Sequence, residues 1–145
     1  MLRIRNATYH DAPFIKGLLA TLGYITNLSL LVDQLDRLFG TGDDHVYVCE
    51  RDKEVIGFVA VHFLPQLAFD GGIAIISYLS IDETKKDQGI GTALEQYVIE
   101  QARKRKCERI QVHCAEWRAV AHQFYLKQGY QEYPRYFTKR LIYGE

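Results

Sequence analysis

The stretch Ile81-Asp82-Glu83-Thr84-Lys85-Lys86-Asp87-Gln88-Gly89-Ile90-Gly91-Thr92 carries the residue types needed to hold an anion. An apolar run enters it, a short polar loop follows, and two glycines open a helical pattern. Glycine lets a backbone approach a ligand closely. A helix's first turn offers unpaired N–H groups and the positive end of the dipole, an arrangement suited to phosphate. Lys85 and Lys86 add charge at the same mouth. Two common nucleotide motifs do not fit. A dinucleotide fingerprint needs a third glycine where Leu94 stands, and a P-loop needs Gly-Lys-Ser/Thr, which is absent. Both also belong near the start of a nucleotide fold, whereas this loop lies past the middle of the chain. The local residues leave two readings open, a phosphate site and a tight turn built by the glycines.

The elements around this loop follow from periodicity. Leu2 to Arg5 reads as a strand (β1). Thr8, Asp11 and Pro13 resemble a capped helix start, and Phe14, Ile15, Leu18, Leu19 and Leu22 continue at helical spacing up to Gly23 (α1). Leu28 to Phe39 reads as a second helix, stopped by Gly40-Thr41-Gly42 (α2). Val46 to Glu50 (β2) and Val55 to Leu64 (β3) are rich in β-branched and aromatic residues, with Arg51-Asp52-Lys53-Glu54 as a hairpin turn that lacks the Asn-Gly signal. Ile73 to Ile81 (β4) is a near-continuous apolar run suited to a central, doubly covered strand. Ile90, Ala93, Leu94, Tyr97, Val98 and Ala102 line one face of a helix ending in Arg103-Lys104-Arg105-Lys106 (α3). That basic last turn complements the helix dipole. Arg109 to Cys114 alternates as a strand (β5), Trp117 to Gln128 as a helix ended by Gly129 (α4), and Tyr130 to Tyr133 and Tyr136 to Ile142 as two final strands (β6, β7). The order β1-α1-α2-β2-β3-β4-α3-β5-α4-β6-β7 is that of a single α/β domain over 1–145, with a mixed sheet and helices on both faces.

Composition narrows the functional classes. The 145 residues are 48% hydrophobic and 25% charged, with 18 basic against 18 acidic side chains, an ordinary globular balance. Zero net charge argues against a nucleic-acid surface. No apolar run approaches the roughly 20 residues of a membrane helix, and Met1-Leu2-Arg3-Ile4-Arg5 lacks the apolar core of a secretory signal. Three cysteines, Cys49, Cys107 and Cys114, form no CxxC pair, which fits reduced thiols in the cytoplasm. The five histidines are scattered without zinc spacing, so no metal is expected.

Lys86-Asp87-Gln88-Gly89-Ile90-Gly91, with Leu79-Ser80-Ile81 before it and Ala121-His122-Gln123-Phe124-Tyr125-Leu126-Lys127-Gln128-Gly129-Tyr130 after it, together resemble the motifs of the GNAT family of N-acetyltransferases. Lys86-Asp87-Gln88-Gly89-Ile90-Gly91 is similar to that family's acetyl-CoA loop, Gln/Arg-x-x-Gly-x-Gly/Ala. Leu79-Ser80-Ile81 resembles the strand end whose backbone pairs with pantetheine. Ala121-His122-Gln123-Phe124-Tyr125-Leu126-Lys127-Gln128-Gly129-Tyr130 resembles the family's Ala-x-x-Phe/Leu-Tyr-x-x-x-Gly-Phe/Tyr block. Arg5-Asn6-Ala7-Thr8 with Asp11, and Phe137-Thr138-Lys139-Arg140-Leu141, match its usual ends. The resemblance runs over nearly the whole chain, with its motifs in order. It implies a mostly antiparallel mixed sheet, acetyl-CoA as acyl donor and an amine acceptor. It also implies cofactor contacts from Leu79, Ser80, Ile81, Lys86, Asp87, Gln88, Gly89, Ile90, Gly91 and Thr92. Two positions depart. Lys86 stands where Gln or Arg is usual, a contact made largely by backbone. Arg118 stands where many members carry an Asn on the pantetheine arm, and its guanidinium suits a phosphate or the substrate instead.

The implied reaction is direct attack of an amine on the thioester. Backbone N–H groups near Leu79 would polarise the carbonyl oxygen. Tyr125 matches the family's general acid. A tyrosine ordinarily titrates near 10 and a thiol near 8.5, so full transfer is uphill by about 2 kcal/mol, and Tyr125 would act best as a hydrogen-bond donor to the leaving sulfur. A packing tyrosine is the plain alternative at helical spacing. For a base, the candidates are Glu116, His122, His62, Asp70 and ordered water. His62 shares strand parity with Ile56, Phe58 and Ala60, which favours a sheet-face role. Substrate contacts are expected from Tyr24, Phe69, Asp70, Tyr133, Arg135 and Tyr136, since aromatics with an acid suit a cationic amine. Two other readings compete. Cys114 with His113 or His122 as thiol and base is weak, because neighbours on a strand point to opposite faces. A sensor that binds acetyl-CoA with little turnover is the stronger rival. Exposed sheet edges and the tyrosine-rich last strands offer surfaces for a homodimer.

Overall fold

The computed structural model describes residues 1–113, 119–132 and 137–142. By internal contacts the chain divides into two units, Met1–His113 and Cys114–Glu145.

The first unit is built on five strands in the spatial order β1-β2-β3-β4-β5. These are β1 Leu2–Asn6, β2 Asp44–Arg51, β3 Glu54–Leu64, β4 Ile73–Ile81 and β5 Arg109–Val112. The first four pair antiparallel, and β5 joins β4 in parallel. The β2–β3 hairpin forms without Asn-Gly because Asp52 and Lys53 both take left-handed backbone, φ 52° and 65°, the pair of angles a tight hairpin turn requires.

Helices α1 (Ala12–Thr21) and α2 (Leu28–Phe39) cover one face, where Ile15, Leu18, Leu19 and Leu35 bury with Val46, Val48, Val55, Phe58 and Ala60. Helix α3 (Ile90–Lys104) covers the other, where Ile90, Leu94, Val98 and Ala102 bury with Cys49, Ile56, Val59, Val61, Ala74 and Ile76. Each fully buried aliphatic side chain contributes about 1.5–3 kcal/mol, so both sandwiches are needed to hold the sheet. Truncating Leu94, with no exposed surface, to alanine should cost about 2–5 kcal/mol.

Two β-bulges change which residues face which helix. Opposite Cys49 and Glu50, Ile56 is the extra residue of β3, and it buries on the α3 face while Phe58 and Ala60 bury on the α1–α2 face. The expected shared parity of Ile56 with Phe58 is therefore corrected. In β4, Ala60 opposes Tyr78 and Val61 opposes Ile76, which leaves Ser77 as the bulged residue. Ala74 and Ile76 before it, and Leu79 and Ile81 after it, all pack on the α3 cluster. One inserted residue moves the apolar set from even to odd positions and keeps it on one face.

The second unit contains α4 (Ala119–Lys127), which ends in a turn with Gly129 at φ 93°. Trp117 and Arg118 of the expected helix lie outside the described residues. The two expected last strands are not present among the described residues: 130–132 and 137–142 are not in strands, and Phe137, Leu141 and Ile142 are 96%, 87% and 73% exposed. Alternating aromatic and β-branched side chains make a strand only where a partner backbone supplies the ladder.

Candidate functional site

Among the described residues, strand β4 is paired along only part of one edge. Strand β5 runs beside it only from Ile73 to Ile76, and His113 N–H closes the pairing on the Ile76 carbonyl at 3.0 Å. From Ser77 to Ile81 the same edge has no strand partner among the described residues. Leu79 and Ile81 turn partly buried side chains to the α3 cluster. Ser80 is buried at 3% exposure and donates to the Leu18 carbonyl at 2.8 Å, which ties β4 to α1. Its hydroxyl is thus committed to the fold, and only its backbone remains for a ligand.

The turn after β4 is shaped by its own residues. The Asp82 carboxylate accepts from Thr84 N–H at 2.9 Å and Thr84 Oγ at 2.8 Å, and these bonds hold it below the usual carboxylate range. A short 3-10 turn, Glu83–Lys85, follows. Asp87 and Gly89 both take left-handed backbone, φ 65° and 78°, and α3 begins at Ile90. Gly89 is the N-cap and has no side chain to accept from the first turn. The first helical bond at this end runs from Ala93 N–H to the Gly89 carbonyl, so the N–H groups of Ile90, Gly91 and Thr92 have no intrahelical acceptor. Lys86, Asp87, Gln88, Gly89 and Thr92 are exposed, Gly91 is half-buried, and Ile90 is buried as the anchor of the helix on the core.

Charge at this mouth is arranged differently from the expectation. The Lys86 ammonium lies 3.2 Å from the Glu83 carboxylate, an exposed pair that offsets part of its charge. Arg51, at the end of β2, donates to Gln88 Oε1 at 2.6 Å and braces the turn from the hairpin side. Sequence inspection missed Arg51, because nothing in residue spacing connects positions 37 apart.

In the second unit, Tyr125 lies on α4 with its ring edge-on to Phe124 at 5.2 Å and to Tyr130 at 5.5 Å between centroids. The Tyr130 N–H reaches back to the Tyr125 carbonyl at 3.1 Å, so the turn at Gly129 folds one tyrosine onto the other. Cys114, Glu116, Arg118, Tyr133, Arg135 and Tyr136 lie outside the described residues. Tyr24 meets Tyr78 of β4 edge to face at 5.4 Å. Phe69 is covered by the Arg109 guanidinium at 4.2 Å, and the neighbouring Gly71 N–H bonds to Glu108. Burial pushes the thiols of Cys49 and Cys107 up, which makes them poor nucleophiles.

His62 is more than a sheet-face residue. Its Nδ1 lies 2.7 Å from Asp44 Oδ1 on β2, and its Nε2 lies 2.8 Å from Ser77 Oγ on the β4 bulge. The side chains of His62 and Asp44 are 27% and 24% exposed. The only sequence signal for this link is the shift of apolar parity between Ile76 and Leu79, which betrays the bulge that brings Ser77 round.

The mixed sheet whose fourth strand leads through a short turn into α3 is a fold shared with a known acetyltransferase, and a matching family model places this protein among the acyltransferases. More narrowly, the chain belongs to the GNAT acetyltransferase family, whose model matches residues 17–130. It is 28% identical, over 95% of its own length and 90% of the relative's, to an aminoalkylphosphonate N-acetyltransferase of Salmonella typhimurium. Among solved structures it resembles a transcriptional regulator from Bacillus halodurans, with TM-score 0.89 and 24% identity over 97% of this chain and 100% of that one. It also resembles an aminoglycoside acetyltransferase from an uncultured soil metagenomic sample, with TM-score 0.80 and 20% identity over 97% of each chain. These last two likenesses are likenesses of fold.

Proposed function

We propose that this protein transfers an acetyl group from acetyl-CoA to a primary amine of a small molecule or peptide, by direct attack on the thioester. The observation that carries the reading is the joining of two backbone surfaces: the edge of β4 at residues 77–81, without a strand partner among the described residues, and the uncapped first turn of α3. The first suits the amide-bearing arm of CoA, and the second suits its pyrophosphate. The residues fit that group, because Gly89 leaves the helix start without an internal acceptor and Gly91 adds no side chain. Bound there, acetyl-CoA supplies an activated acyl carbon. The chain's own groups then divide the work. Lys86, Asp87, Gln88, Gly89, Ile90, Gly91 and Thr92 form the phosphate cradle, assisted by Arg118, and the backbone of Leu79, Ser80 and Ile81 aligns the arm. A backbone N–H beside Leu79 polarises the carbonyl, and the Tyr125 hydroxyl donates to the departing sulfur.

The similarity to an aminoalkylphosphonate N-acetyltransferase supports small aminophosphonates as the first amines to try. The free Cys49 and Cys107 support work in the reducing cytoplasm. The test is thiol release from acetyl-CoA with 2-aminoethylphosphonate, ethanolamine, spermidine and a peptide with a free N-terminus. Turnover with any of them is expected, and Tyr125→Phe should lower it far more than it lowers acetyl-CoA affinity. Thermal unfolding with acetyl-CoA, against NAD as control, should shift by several degrees at saturating ligand. No shift even at millimolar acetyl-CoA would remove the donor from the reading.

A further inference from the structure

We propose that Asp44, His62 and Ser77 form a proton relay that takes the proton from the attacking ammonium, with Ser77 at its substrate end. This rests on the acetyltransferase reading above and assigns the base which that reading leaves open.

The bonding pattern has one consistent assignment. Burial pushes the Asp44 carboxyl up, but hydrogen bonds from His62 and Thr41 outweigh it and hold the group below its usual range. Asp44 is therefore an ionised acceptor. A carboxylate accepts only, so His62 Nδ1–H donates to it, and in a neutral imidazole Nε2 must then accept from the Ser77 hydroxyl. The second Asp44 oxygen accepts from Thr41 Oγ at 2.8 Å, which fixes the carboxylate at the start of β2. A structural tether between β2 and β4 would need no such polarity. Here a negative group orients an imidazole whose vacant site faces a hydroxyl, the arrangement of a base acting through an alcohol.

Position supports the role. Ser77 is the bulged residue of β4 and the first beyond its last pairing with β5. Bulges re-aim side chains, and this one turns Ser77 to the α1–α2 face beside His62. Ser77 lies two residues from Leu79, about 7 Å along the strand, so an amine poised between them is within reach of both. Other ionisable groups near the relay are His45, which acts on Asp44 by charge, and the edge-to-face pair Tyr24 and Tyr78 at the same stretch of β4.

The proton balance closes. One ammonium N–H proton passes to Ser77 Oγ while the Ser77 proton passes to His62 Nε2, and Asp44 stabilises the resulting imidazolium. The freed amine forms the C–N bond as the C–S bond breaks. A second nitrogen proton ends on the thiol sulfur through Tyr125, and His62 returns its proton to water.

The test compares wild type with His62→Gln and Ser77→Val across pH, using the best amine of the panel above. Acetyl-CoA binding by calorimetry verifies that each variant is folded. Near pH 7, His62→Gln should lower kcat/KM by about 100-fold. The deficit should narrow at least about tenfold near pH 10, where an alkylamine becomes neutral without help. Ser77→Val, which excludes a replacing water, should show the same narrowing, and it decides the matter if His62→Gln does not fold. Equal turnover in wild type and variants, or a deficit constant across pH, overturns the relay and leaves the transferase standing. A wild type inert toward every amine overturns both.

Discussion

The chain begins its helices in two ways. At Thr8–Asp11 the start of the 3-10 turn Tyr9–Asp11, which leads into α1, is closed. The Thr8 N–H donates to the Asp11 carboxylate at 2.8 Å, and Arg5 grips the same carboxylate through two bonds of 2.8 and 3.0 Å. Helix α2 is closed as well, by Asn27 Oδ1 accepting from Leu30 N–H at 2.8 Å. At Gly89 the start is open, with no side chain available to accept and exposed backbone in a left-handed turn. Because a cap is worth about 1 kcal/mol, leaving α3 without one costs stability that a bound anion would return. Closed starts hold the fold, and on the proposed acetyltransferase reading the open one receives the pyrophosphate of CoA.

The largest effect should come from opening a closed start. Asp11→Ala removes a buried acceptor from Arg5 and Thr8 at once, and should cost about 3 kcal/mol, or about 10 °C in Tm, while acetyl-CoA affinity stays in place. The pH dependence sharpens this. Burial pushes the Asp11 carboxyl up, yet Arg5 and the Thr8 N–H outweigh it and hold the group below its usual range. A depressed folded pKa stabilises above the unfolded value near 3.9, and that stability is lost as pH falls through the folded value. The margin of wild type over Asp11→Asn in urea unfolding should therefore be full at pH 7 and shrink in strong acid. A constant margin would mean that the carboxylate's charge is irrelevant.

Closing the open start should produce the next effect. Gly89→Asp places a carboxylate beside the vacant N–H groups, where its charge suits the positive end of the helix dipole and repels a phosphate. Acetyl-CoA affinity should fall about 100-fold, as expected for like charges at one site. Gly89→Ala is the control. It bears the left-handed strain of about 1 kcal/mol without the charge, and should lose stability more than affinity. If both variants lose affinity equally, the turn's shape matters and its vacancy does not. A smaller loss is expected on removing the brace. Arg51→Ala frees Gln88 and loosens the turn, which should weaken acetyl-CoA about two- to fivefold in calorimetry, with little change in Tm.

The same contrast explains what was legible in the sequence. Capping signals, glycine positions and apolar periods are local, and the strands β1 to β5 and helices α1 to α3 fall close to where those patterns place them. Gly89 and Gly91 stood out because the loop motif is contiguous. The β-bulges were not legible, since Ile56 and Ser77 look like any strand residue until a neighbouring strand counts one residue fewer. The Asp44–His62–Ser77 link and the Arg51–Gln88 brace depend on pairing across the sheet and on a hairpin docking beside a turn, both invisible to spacing. The last strands, not present among the described residues, show the opposite error. Alternation at 137–142 satisfied the pattern, while a strand needs a ladder partner.

The smallest predicted effect concerns Lys86, the residue that most invites overinterpretation. Its ammonium sits 3.2 Å from Glu83 with both side chains more than half exposed, so the pair contributes at most a few tenths of a kcal/mol to folding. Lys86→Gln should leave Tm unchanged. Its effect on acetyl-CoA should be a rate and salt effect: association slows modestly at low ionic strength, and the difference disappears above about 0.15 M salt, where surface charges are screened. Glu83→Gln, which frees the ammonium, should change association in the opposite sense. If Lys86→Gln instead raised the dissociation rate at every salt concentration, Lys86 would be a direct phosphate contact, and the open helix start would depend on a side chain as well as on its vacant N–H groups.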